Sequence, residues 1–126
     1  IINIGPIPQE SCPSIYQQCD ALFAPTLLET FSAAYPEAMK MNIPILTSNY
    51  SFATDICKDA ALYFNPLDIS DIEMKIKLLV NNEELRLELI EKGKKRILQF
   101  ETALSRAEKY IKICEQINNQ KEEKNV

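Results

Sequence analysis

The sequence predicts an α/β fold in which a parallel sheet of about four short strands is flanked by helices. Three observations carry this. Through the first half, short apolar runs alternate with helix-patterned segments in a βαβαβ rhythm. The links between them are short, and parallel strands joined through helices pack most economically as right-handed crossover units in one layered sheet. Beyond residue 64 the pattern turns to helices, which are expected to pack on that sheet.

A first strand is expected over 1–4, the run Ile1-Ile2-Asn3-Ile4, followed by a helix over about 11–19. In that helix Cys12, Ile15, Tyr16 and Cys19 recur at i, i+3, i+4 and i+7, Ser11 can cap it, and Pro13 is tolerated in its first turn. A strand over 21–24 and a helix over about 33–41 come next. Ala33, Ala34, Tyr35, Ala38, Met39 and Met41 make this second helix apolar nearly all round, as in a helix covered on more than one side. Asn42 suits the left-handed residue that ends a helix, and Pro44 prevents continuation. Strands follow over 43–47 and 61–64, the latter placing Tyr63 and Phe64 in the core.

Three helices are expected after that, from Asp71 to Val80, from Glu83 to about Gln99 and from Thr102 to about Asn118. The first aligns Ile72, Ile76, Leu79 and Val80; the last aligns Ala103, Ala107, Tyr110, Ile111, Cys114 and Ile117. Gly93 in the middle helix points to close helix packing, since glycine there costs about 1 kcal/mol relative to alanine. The mixed charges from Glu83 to Arg96 read as a solvated face, and Asp55, Asp59 and Asp68 as turn or cap residues. Residues 1–119 form the folded unit, and 120–126 a polar tail.

At 126 residues the chain is the size of one domain, and with two glycines and a quarter of its residues charged it is neither low-complexity nor disordered in character. A net charge of −4, no histidine and no basic patch with interleaved aromatics argue against nucleic acid as a partner. Cys12, Cys19, Cys57 and Cys114 form no C-x-x-C pair and have no histidine to join them, so a zinc site is not expected. They read as reduced core thiols of a reducing compartment. With no apolar run near the roughly 20 residues that span a bilayer, a cytoplasmic location is expected. The chain starts directly on its first apolar run, without initiator Met or signal pattern, as a piece of a longer protein would.

Two carboxylates mark a candidate site. Glu29 and Glu37 stand eight residues apart, a spacing that also occurs at Glu83/Glu91 and Glu115/Glu123 and so means little alone. Their setting is what distinguishes them: one apolar strand ends just before Glu29, and a helix begins between the two. In parallel α/β sheets ligands bind beyond the carboxyl ends of the strands, where helix N-termini offer free N–H groups to phosphate. Glu37 also shares a face with Ala34 and Met41, where a carboxylate needs a partner or a ligand; Lys40 or the backbone would be the ordinary one.

The segment from Ala21 to Met39, continued by Ile43 to Ser48, resembles the E-x7-E region of the retaining glycosyltransferases of family 4, also called group 1, which have the two-domain GT-B fold. The stretch from Phe52 to Pro66 resembles the strand that follows it in that family. The resemblance covers nearly the whole chain and is weakest over the tail. It implies the C-terminal part of a Rossmann-like donor domain, with the acceptor-binding N-terminal domain and the βα units bearing the diphosphate-neutralising Arg and Lys lying outside this chain.

By position, the resemblance makes Glu29 the catalytic carboxylate, hydrogen-bonded to the transferred sugar, and Glu37 the acceptor of the ribose hydroxyls. Thr30, Phe31 and Ser32 would meet the donor phosphates through their N–H groups, and Ile7 would touch the base. An ionised carboxylate can accept both hydroxyls of a vicinal diol, which suits the two glutamates to these roles. No metal or other cofactor is implied. The partner is a nucleotide-sugar donor, and the resemblance leaves room for peripheral membrane association of the whole enzyme. The isolated chain would be inactive. The chain departs from the family in reading Glu29-Thr30-Phe31-Ser32 where Glu-Gly-Phe-Gly is usual, which reduces backbone room near a phosphate. Pro36, just before Glu37, requires the helix to start near Ala33 or later. The competing reading is a free-standing α/β nucleotide-binding or protein-interaction module without catalysis.

Overall fold

The computed structural model describes the backbone over residues 1–124 and side chains over 1–120. Three parallel strands form the sheet in the order β1 (Leu22–Ala24), β2 (Ile45–Ser48), β3 (Ala61–Phe64). Leu22 pairs with Ile45, and Ile45 in turn with Ala61, so the register runs level across the sheet. The helices are α1 (Cys12–Tyr16), α2 (Ala34–Lys40), α3 (Ser51–Cys57), α4 (Ile69–Asn81), α5 (Glu83–Ile97) and α6 (Ala103–Lys124).

Alternation along the strands sorts the core into two layers. On one face Ile45 and Ala61 join Tyr35, Ala38 and Met39 of α2 and Ala53, Ile56 and Cys57 of α3. On the other, Leu46 and Phe64 meet Leu79 of α4 and Leu89 of α5. Phe23 stacks on Phe64, ring centroids 5.4 Å apart. Because β2 is covered on both faces, all its side chains are buried.

The end of α2 follows from its sequence. Asn42 adopts φ 59°, the Asn42 N–H donates to the Met39 carbonyl at 3.3 Å and the Ile43 N–H to that of Ala38 at 2.9 Å, a complete Schellman closure built on asparagine. Asp68 caps α4, its carboxylate accepting from the N–H groups of Ser70 and Asp71. Gly93 is the close-packing glycine expected: a Cβ there would lie 3.4 Å from Met39 Cγ.

Several expectations are corrected. The strand over 1–4 does not form. Asn3 Oδ1 instead accepts from the Gly5 N–H at 2.8 Å in a local turn, and Ile1, Ile2 and Ile4 stay exposed; such side-chain bonds compete with a sheet ladder. The first helix is shorter than expected, a 3-10 turn over Gln9–Ser11 leading into five residues of α1. The stretch from Phe52 to Pro66, likened as a whole to a strand of the family, holds strand only over Ala61–Phe64, and Ser51–Cys57 is helix α3. Of the four thiols only Cys57 is buried in the core; Cys19 and Cys114 are exposed. Two arginines of the supposedly solvated face of α5 are helix caps. Arg86 Nη1 donates to the Leu79 and Val80 carbonyls at 2.8 and 2.6 Å, and Arg96 donates to those of Ile56 and Asp55 at 2.7 and 3.1 Å.

α6 runs on through the expected polar tail to Lys124, and residues 125–126 lie outside the described part. Its apolar stripe is not packed on the sheet: residues 106–120 are exposed, including Tyr110, Ile111 and Ile117. Both faces of the sheet are already covered by α2 to α5. Among the described residues no helix is long and apolar enough to cross a membrane.

Candidate functional site

β1 ends at Ala24 and α2 starts at Ala34, so the intervening loop leaves the carboxyl end of the sheet. Its anchor is a hydroxyl chain. Thr47 Oγ1 donates to the Ala24 carbonyl at 3.0 Å, which commits its one proton, so the Tyr35 phenol donates to Thr47 at 2.9 Å. Both side chains are buried. Burial is the main cause that pushes the Tyr35 hydroxyl up from its ordinary pKa.

Glu29 itself is half-buried, and its Oε1 accepts the N–H of Thr30 at 3.0 Å. The Thr30 amide, expected to meet a donor phosphate, is engaged in this structure by its neighbour's carboxylate. Phe31 is exposed and Ser32 half-buried in the loop ahead of α2. The helix starts at Ala34 with Pro36 in its first turn, as the position of that proline requires. Pro36 has no N–H, so the amides offered by the first turn are those of Ala34 and Tyr35.

Glu37 has a protein partner that the sequence reading did not name. The Tyr16 hydroxyl donates to Glu37 Oε2 at 3.0 Å, from α1 to α2, where Lys40 or the backbone was the expected partner. Glu37 is exposed and not part of a buried stripe, which faces the core through Tyr35, Ala38 and Met39. Two grooves flank the pair. One, of 240 Å³, is lined by Ile7, Cys12, Ile15, Tyr16, Cys19 and Glu37; the other, of 260 Å³, shares Cys12, Tyr16 and Glu37 with it and is closed by Gln9, Pro13, Lys40 and Met41. The structure thus brings Ile7 and Glu37 to one groove, while Glu29 and residues 30–32 line neither. Tyr16 was legible as a core-face residue of α1, and its hydroxyl was the overlooked signal. Among the described residues no three His, Cys, Asp or Glu side chains are grouped closely enough to hold a metal ion.

Residues 1–96 match the family model described as glycosyl transferases group 1. The chain belongs to that family. It is 26% identical over 97 residues to the O-antigen chain mannosyltransferase B of Escherichia coli, an alignment that takes in 77% of this chain and 26% of that protein. Its fold superimposes on sucrose-phosphate synthase from Thermosynechococcus elongatus with a TM-score of 0.78 at 19% identity, covering 93% of this chain and 30% of the other. The group 1 chain therefore has the α/β arrangement of GT-B glycosyltransferases, with three parallel strands where about four were expected. It spans between a quarter and a third of the length of each of these relatives.

Proposed function

We propose that this chain forms part of the nucleotide-sugar donor site of a retaining, family 4 glycosyltransferase, which moves a hexose to a hydroxyl acceptor in glycan or cell-surface polysaccharide synthesis in the cytoplasm. The observation that carries the reading is the placement of Glu37. Its carboxylate lines two grooves between α1 and α2, one of which Ile7 also lines. Membership of group 1 and the likeness to a mannosyltransferase support sugar transfer as the chemistry.

In this reading Glu37 accepts the ribose hydroxyls, Ile7 contacts the base, and Glu29 accepts hydroxyls of the transferred sugar. The amides of Phe31 and Ser32, in the loop before α2, face the diphosphate. The departing phosphate assists the acceptor hydroxyl on the same face of the sugar, so the protein's share is orientation and stabilisation of leaving-group charge. The neutralising cations and the acceptor site belong to parts of the enzyme outside this chain, and the chain alone does not turn over.

Transfer from nucleotide sugars by the complete protein tests this, with the anomeric configuration of the product read by NMR. Glu29→Ala should lower kcat by roughly 10²–10³-fold, as loss of one preorganised polar contact does, and Glu37→Ala should weaken donor binding. Intact donor binding in Glu37→Ala would sink the ribose role, and an inverted product the retaining assignment.

A further inference from the structure

We propose that Tyr16 is a positioning residue of the donor site: its phenol, donated from α1 to Glu37 Oε2 at 3.0 Å, fixes the carboxylate in the orientation that receives a vicinal diol. This rests on the reading of Glu37 as the ribose acceptor.

A glutamate side chain on an exposed helix face carries one of the largest rotamer entropies, which a ligand must otherwise remove on binding. Tyr16 removes it beforehand. Its own ring is held, because it is half-buried and packs against the core layer formed by α2, α3 and the sheet. The donor comes from another element, 21 residues away in sequence, so the bond orients the carboxylate relative to α1 as well as α2.

Acceptor capacity remains for the ligand. An ionised carboxylate offers about four lone-pair positions; the phenol uses one, leaving Oε1 and the second position of Oε2 for two hydroxyls. A neutral donor also preserves the negative charge that makes those two bonds strong, where a lysine would offset it. Burial, followed by the bond to Glu37 and its charge, pushes the Tyr16 hydroxyl up to about 12, so it stays a donor at physiological pH.

The grooves add a geometric reason. At 240 and 260 Å³ each is smaller than the roughly 300 Å³ at which small-molecule pockets begin. Tyr16 and Glu37, with Cys12, line both and so form the ridge between them. A nucleoside lies across that ridge, with its ribose where the two grooves meet.

The experiment titrates the complete protein with UDP, GDP, ADP and CDP, each against its 2′,3′-dideoxy counterpart. Tyr16→Phe should weaken the ribonucleotide roughly tenfold, the scale of one ordered side chain, while leaving the dideoxy compound unchanged. Tyr16→Gln, which supplies an amide N–H, should recover part of the loss and carries the test if Tyr16→Phe does not fold. Glu37→Gln should lower the same discrimination. If Tyr16→Phe affects both nucleotides equally or neither, while Glu37→Gln acts selectively, the positioning role falls and the donor-site reading stands. If Glu37→Gln leaves the discrimination intact, or the complete protein binds none of the diphosphates, the reading beneath it falls too.

Discussion

The hydroxyls of Tyr35 and Thr47 meet at 2.9 Å between α2 and β2, with both side chains buried and Thr47 bound in turn to the Ala24 carbonyl. The chain of donors runs one way, and the two ends of it are unequal. Tyr35→Phe removes the terminal donor and leaves Thr47 still bonded, so it should cost about 1 kcal/mol. Thr47→Val strands a buried phenol without an acceptor and takes a partner from Ala24, costing about 1–3 kcal/mol. The double variant should be destabilised by less than the sum, because its second change no longer orphans anything. Urea unfolding of the three variants checks the order. Equal single losses that add would mean the bond contributes nothing of its own.

Lys58 links α3 to β3 at φ 51° and ψ −122°. With the Ala60 N–H donating to the Cys57 carbonyl at 2.9 Å, this is the first central position of a type II′ turn, which glycine prefers. A side chain held there costs about 1–3 kcal/mol. Lys58→Gly should therefore raise stability, by about 1 kcal/mol after the extra unfolded-state freedom of glycine. The exposed pair with Asp55 at 3.3 Å contributes little against this. A fall in Tm for Lys58→Gly, or a rise for Lys58→Ala, would show the turn to be unstrained.

The end of α2 and the cap of α4 were legible because each depends on neighbours in sequence: Asn42 tolerates the left-handed region, and Asp68 precedes the amides it caps. The absent strand at 1–4 was not, since an apolar run does not disclose whether another strand pairs with it. α3 was missed because its seven residues, with Ala53, Ile56 and Cys57 buried, are parted from the apolar strand β3 by only a three-residue turn. At the candidate site, the sequence singled out Glu29 and Glu37 as candidates but not the contact of Glu37 with Tyr16, which depends on how α1 docks on α2.

Alkaline pH should unfold the protein. Burial pushes the Tyr16 hydroxyl and the Cys57 thiol each up to about 12 and raises Tyr35 and Tyr63 as well. A pKa higher in the folded state than in the unfolded chain favours the fold while the group is protonated. Their stabilisation is complete below the unfolded values of 9.0 for the thiol and 10.0 for the phenols, and is lost as pH rises toward about 12. Glu37→Gln should bring Tyr16 ionisation part of the way back, because burial, the largest cause, remains. Tyrosinate absorbance followed with pH measures this; an unchanged Tyr16 titration would mean that the contact with Glu37 is not maintained in solution.

Gly93 and Met39 provide the last test, of how α5 lies on α2. A Cβ at Gly93 would meet Met39 Cγ at 3.4 Å and Met39 Cα at 3.7 Å, ordinary contact distances. The nearest atom belongs to a flexible thioether side chain that can yield, and alanine gains up to about 1 kcal/mol of helix propensity over glycine. Gly93→Ala should therefore fold and melt slightly higher. Gly93→Val adds two methyl groups against a helix whose backbone cannot retreat, because α2 is tied into the core by Tyr35 and Ala38, and overpacking of this kind costs about 1–3 kcal/mol. A thermal melt of both variants separates close packing from indifference: if valine is tolerated as well as alanine, the two helices lie farther apart than 3.4 Å contact implies.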